Sequence, residues 1–148
     1  MMKYELTEIK HWNEMLRRIR ALRDIPAIGV KAGDLGGWVQ SEDNLSQDGD
    51  CWLFEHARAF GQSRVKENAV LYYSSWASES AVVSGNAELL GDAWAAGSVI
   101  ITGNAKVHGV IVEGKFTIGS NSVVEQDIRT DDAFYEWFFT HNRQTKSV

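Results

Sequence analysis

Four histidines, His11, His56, His108 and His141, are the side chains of this 148-residue chain whose ordinary pKa lets them exchange protons near neutrality. Only His56, in "FEHARAF", and His108, in "GNAKVH", fall within the regular middle of the sequence, which makes them the candidate general bases. Nothing around them completes a catalytic constellation. Ser74, Ser75 and Ser84 have no histidine and acid at a spacing that identifies a nucleophile triad. Gly36 and Gly37 lack the lysine and the strand–loop–helix setting of a phosphate loop. Asp48 and Asp50 are possible calcium ligands, but they flank a corner and are simpler turn formers. Cys51 is the one cysteine, so neither an internal disulfide nor a Cys-rich metal site is available, and its small apolar side chain suits a core. The residues call for no metal and no cofactor.

What holds these residues is a six-residue beat. Cut from Gly49, the chain runs GDCWLF, EHARAF, GQSRVK, ENAVLY, YSSWAS, ESAVVS, GNAELL, GDAWAA, GSVIIT, GNAKVH, GVIVEG and then, with the beat slipping, KFTIGS and NSVVEQ. Thirteen hexads span 49–126. The third place is small (Cys51, Ala57, Ser63, Ala69, Ser75, Ala81, Ala87, Ala93), and the fifth is aliphatic. Places three and five share one side of a strand, while four and six face the other. Gly, Asn, Asp and Ser at places one and two suit a tight corner. One such strand cannot bury its inner side, so the hexads must wind around a shared axis.

Comparing every third hexad gives the number of sides. Place five becomes Leu53, Leu71, Leu89, Val107 in one column, Ala59, Ala77, Ala95 in the next and Val65, Val83, Ile101 in the third. Residues eighteen apart match better than residues six apart, which predicts a three-sided coil of 18 residues. A little over four rungs at a strand spacing of about 4.8 Å would stand roughly 20 Å tall.

This pattern resembles the hexapeptide repeat of left-handed parallel β-helices, a superfamily that includes trimeric acyltransferases, and "IGSNSV" at 118–123 is similar to that repeat as usually written. The left hand comes from the resemblance, since the usual crossover rule favours the right. "VKAGDLGGWVQSEDNLSQDGDCWLF" at 30–54 resembles the opening of YdcK-like β-helix proteins of bacteria and phages, in which paired N-terminal strands lead through a Gly-Gly-Trp-Val turn and a Leu-Ser-Gln stretch into the coils. The resemblance covers about residues 1–110. Members of that group are often labelled transferases on the strength of the fold, and fold is not function. For an acyltransferase it implies a histidine base near a subunit boundary and a loop that breaks the coils to shape the acyl-donor site. Here His56 takes a corner place, His108 an outward one, and no loop interrupts 49–108. The uninterrupted hexads and the small number of coils both count against a coenzyme A carrier.

The expected architecture is thus mainly β: an N-terminal strand cap over 1–30, a hexapeptide-repeat β-helix over 31–127, and a C-terminal helix and tail over 128–148. "MLRRIRALRDI" at 15–25 fits either a helix face or an interrupted strand, and the family resemblance favours strands. In "RTDDAFYEWFFTHNRQ", Thr130 or Asp131 can cap a helix that carries Phe134, Trp137 and Phe138 on one side and plugs the open end of the coil, with 141–148 a mobile tail.

Charge is uneven behind the net −5. Residues 1–31 carry seven Lys/Arg against four acids, including Arg17, Arg18, Arg20 and Arg23, while residues 32–127 carry five against thirteen. An acidic coil argues against a general nucleic-acid binder. With no membrane-length apolar run and no signal peptide at the start, the expected location is the cytoplasm, the host's if the protein is phage-encoded.

The outward places are unusually apolar. One side is expected to show Arg58, Trp76, Trp94 and Val112 with Phe60 beside them, another Trp52, Phe54, Val70, Tyr72 and Leu90, and the third Arg64, Val82 and Ile100. Apolar surface of this kind is usually covered. The sequence therefore predicts a homo-oligomer, a trimer by preference, with the Trp76/Trp94 column as its anchor. The expected function is non-catalytic binding by a phage- or prophage-derived β-helix. Its aromatic columns and acidic surface (Glu79, Glu88, Asp92) would engage a host protein, as an inhibitor would. The alternatives are an acyltransferase using His108 or His56, a small-ligand trap, and a structural assembly module.

Overall fold

A computed structural model describes residues 2–146, with side chains through 141. The coil is a three-sided β-helix whose faces are parallel sheets, and strands 18 residues apart pair in register, as in Glu88↔Val70 and Leu89↔Leu71. Inside, Leu53, Leu71, Leu89, Val107 and Val124 stack on one face, Val39, Ala59, Ala77, Ala95 and Val112 on the second, and Leu45, Val65, Val83, Ile101 and Ile118 on the third, all 1% exposed or less. These are the columns expected from the fifth place. The small third places are buried because the corners converge there: Ser63 and Ser75, both fully buried, donate their hydroxyls to the carbonyls of Ala77 (3.0 Å) and Tyr72 (2.8 Å). Outside one corner, Asn68, Asn86, Asn104 and Asn121 pass side-chain hydrogen bonds of 3.1–3.3 Å from rung to rung. The corner glycines take the left-handed backbone, and at Gly85 (φ 63°) an added Cβ would lie 2.8 Å from the Gly103 nitrogen of the next rung.

Two details differ from the expected register. The first rung, made by β3 (Leu35–Val39) and by Leu45 bridging Val65, precedes Gly49 and does not keep the beat, so the coil has five rungs. The last turn is one residue shorter, with Trp94 pairing with Ile111 and Ala95 with Val112. Val112 is therefore fully buried inside the coil, and Ile111 takes the place in the outward column.

Residues 4–21 are strands, β1 (Tyr4–His11) and β2 (Leu16–Ala21), an antiparallel hairpin that extends the face containing β3 beyond the first rung. Gln47 grips it, with Oε1 accepting from the Lys3 and Tyr4 nitrogens (2.8 and 3.1 Å) and Nε2 donating to the Tyr4 carbonyl (3.1 Å). Trp52, expected on the outside, is 1% exposed because the hairpin folds over it and Tyr4 packs edge-on to its ring at 6.4 Å; Val70 is likewise buried. At the other end, α1 (Asp131–Lys146) begins at Thr130, whose Oγ1 accepts from the Ala133 nitrogen (3.0 Å). Phe134 stacks on Phe116 at 4.3 Å, and Phe134 and Trp137 complete the core cluster. Phe138 is 40% exposed: at about 100° per residue it sits on the far flank of Phe134 from Trp137. The helix continues through 141–146, the start of the expected mobile tail, and 147–148 lie outside the described residues. Among the described residues no helix is long and apolar enough to cross a membrane.

Burial of the cap sets an alkaline limit on stability. Tyr4 donates its hydroxyl to the Leu45 carbonyl (2.6 Å), and burial raises its pKa well above the ordinary phenol value. Burial also pushes the Cys51 thiol up and the Lys3 amine down, although each partner's charge pulls the other way. Tyr4 and Cys51 hold protons in the folded state that the unfolded chain releases above about pH 10 and 8.5, so their contribution is complete below those values and is lost as pH rises. Lys3 has the opposite sign, adding stability with rising pH up to its unfolded value near 10.4. Denaturation midpoints should therefore fall above about pH 10.4, Tyr4 contributing a slope of up to ~1.4 kcal/mol per pH unit. Tyr4→Phe should flatten that slope when midpoints are compared from pH 8 to 11.

Candidate functional site

Successive rungs bring three pairs of residues to one edge of the prism. His56 and Arg58, Ser74 and Trp76, Asp92 and Trp94 occupy places two and four of hexads eighteen residues apart, and they line a groove of about 340 Å³. The ladder fixes their order, because Arg58 pairs with Trp76 and Trp76 with Trp94. The same outward column continues into the first rung, where Trp38 of β3 pairs with Arg58, and beyond it into the cap, where Arg18 of β2 pairs with Trp38.

The Trp76 column is partly covered from within the chain. The β1–β2 turn lays Trp12 over Arg58, whose guanidinium carbon sits 4.3 Å from the Trp12 ring centre and 5.3 Å from that of Trp76. Trp12 also meets Trp76 and Phe60 edge-on at 5.1 and 5.4 Å. Trp76 and Trp94 are 5.2 Å apart at 66°, and Trp94 Nε1 donates to Ser78 Oγ at 2.6 Å, which pins that ring. Arg58 Nε is buried without a hydrogen-bond partner, and desolvation lowers the guanidinium's pKa. Arg18 lies over Trp38 at 5.3 Å and donates to the Gly36 carbonyl (2.8 Å). The basic cluster noted in the sequence is engaged locally: Arg17 faces Glu8 (3.9 Å), Arg20 faces Glu5 (3.2 Å), and Arg23 reaches the Asp24 and Gly49 carbonyls (3.2 and 3.5 Å).

His56, Ser74 and Asp92 form a column of histidine, serine and acid that is legible at eighteen-residue spacing, contrary to the expectation that no such set exists for Ser74. Its order is wrong for a triad, because the serine stands between the other two and no histidine–acid hydrogen bond can orient a base toward it. His108 is exposed at the end of the strand Lys106–His108 and pairs with Leu90 on a neighbouring face, so the two candidate bases occupy different places. Phe54 and Tyr72 stack at 5.1 Å and 7° on that face, with exposed Tyr73 beside them and Leu90 one rung on. The three acids are dispersed: Glu88 lies on that face, Asp92 at the groove, and Glu79 at the corner beyond Trp76, where it accepts from the Gly97 nitrogen (3.3 Å). Among the described residues no three His, Cys, Asp or Glu side chains are grouped to hold a metal.

Sequence reasoning missed Trp12, Trp38 and Ser74. Ser74 was readable from the period. Trp38 lies twenty residues before Arg58 rather than eighteen, and Trp12 arrives from outside the repeat.

Fold and pairing register together define a three-sided parallel β-helix protein with a turn of eighteen residues. Over 75 aligned residues the chain is 35% identical to the "Uncharacterized acetyltransferase YdcK" of Escherichia coli (strain K12), a match covering 46% of this chain. It spans about a fifth of that relative's length, 22%. No family model matches the chain.

Proposed function

We propose that the protein is a binding protein whose groove at His56, Arg58, Ser74, Trp76, Asp92 and Trp94 holds a small ligand. The observation that carries this is Arg58, packed against Trp12 and Trp76 with its Nε buried and unpartnered at the rim of an apolar cavity. A buried guanidinium nitrogen without an acceptor is costly unless something completes it. Aromatic walls with a few convergent polar groups are the usual make-up of a ligand site. Denaturing mass spectrometry of natively purified protein should release a stoichiometric small molecule, and Trp76→Ala should abolish its retention without loss of folding. Clean protein that also gains no thermal stability from a metabolite panel would end this reading.

The relative's name favours a second reading, acetyl transfer with His56 or His108 as base. It requires turnover of acetyl-coenzyme A and a loss of about 10²–10⁴-fold in His56→Ala or His108→Ala. The oligomer and the inhibition of a host protein by a phage-derived chain need a bare apolar surface. Tyr73, 53% exposed beside the Phe54/Tyr72 stack, supports placing it there, while Trp12 takes up part of the Trp76 column.

A further inference from the structure

The two ends of the groove carry opposite charge. Arg58 and His56 stand on one rung and Asp92 two rungs on beside Trp94, about 10 Å apart at the rung spacing, with the rung of Trp76 between them. No ion pair is formed by Arg58 or Asp92 among the described residues, although four other cation–carboxylate pairs form elsewhere on the surface. Trp12 and Trp76 meet at 5.1 Å on one side of the Arg58 guanidinium, and its N–H groups, which match a planar carboxylate, form no ion pair among the described residues.

The β1–β2 turn is held at a cost. Trp12, Asn13 and Glu14 take φ of 53°, 52° and 68° in succession, a left-handed run that non-glycine residues adopt only when the surroundings impose it. The turn closes the hairpin, with the Met15 nitrogen donating to the Trp12 carbonyl at 3.0 Å, and it also sets Trp12 against Arg58. A purely anionic occupant would meet Asp92, a purely cationic one Arg58, and a wholly apolar one would desolvate both without replacing their water.

We propose that the groove binds a flat, two-ended small molecule, with a carboxylate at Arg58 and His56, an aromatic ring on Trp76 and Trp94, and a cationic or donor group at Asp92. This rests on the binding reading above and names its ligand class. The test titrates the full chain by calorimetry with 4-(aminomethyl)benzoate, which has both ends, and with benzoate and benzylamine, which have one each. The two-ended probe is expected to bind at least about tenfold more tightly than either, the scale of one charge-assisted hydrogen bond. Asp92→Asn should reduce it to the level of benzoate and Arg58→Gln to that of benzylamine, with the melting temperature of Asp92→Asn, an exposed side chain, unchanged. Equal binding of all three probes, or indifference to both substitutions, overturns the two-ended class while a binding groove remains. No heat from any probe, in protein that releases a different ligand on denaturation, also overturns the class alone. No heat and no released ligand overturns both readings.

Discussion

Gly37→Ala is expected to cost more than about 3 kcal/mol and to detach the N-terminal cap, because the position has no room for one more carbon. An added Cβ would run into the carbonyl oxygen of Ala57 and lie 2.9 Å from the Leu53 Cβ. That carbonyl already accepts from the Trp38 nitrogen at 2.9 Å, so relieving the clash means opening the pairing of β3 with the first full rung. Backbone cannot swing aside as a flexible side-chain end can. Gly109→Ala is the control: its φ is 64° but nothing lies within 4 Å of the added carbon, so only the conformational penalty of about 1–2 kcal/mol applies. Urea denaturation of both variants checks the contrast. Equal losses would mean that corner conformation, and not the close approach at Gly37, dominates.

Lys3→Met should cost about 2–3 kcal/mol, the second largest effect, although lysine is an ordinary surface residue elsewhere. Lys3 is fully buried, and its Nζ donates to the Cys51 carbonyl (2.7 Å) and reaches the Gly49 carbonyl (3.3 Å) and Cys51 Sγ (3.2 Å). Methionine fills similar volume but leaves those acceptors at the first corner without their donor. Loss of this tether loosens β1, and with it the turn that presents Trp12. The variant should therefore show faster hydrogen exchange at residues 4–21 and weaker retention of a groove ligand, while the later rungs keep wild-type protection. Uniform loss of protection along the chain would show that cap and coil unfold as one unit.

Much of this fold was legible because a solenoid writes its geometry into the sequence. Leu53, Leu71, Leu89 and Val107 recur at the spacing of the rungs they stack on, so a local count gave a long-range contact. The reading failed where the chain departs from the period. Val112 was assigned outward because the shortened corner before Ile111 shifts register by one, and in a strand a one-residue shift exchanges inside for outside. Trp52 was assigned outward because the period cannot register a hairpin that folds over it.

The candidate site divides in the same way. The coil, its inner columns and the alignment of Arg58, Trp76 and Trp94 are readable from the residues alone, because each follows from side-chain alternation and an eighteen-residue turn. Three-dimensional packing was needed to bring Trp12 across onto Arg58 and to join Trp38 to the column. These contacts join the coil to a cap that shares none of its periodicity, and packing between two such parts is set by shape and burial, which no repeat encodes.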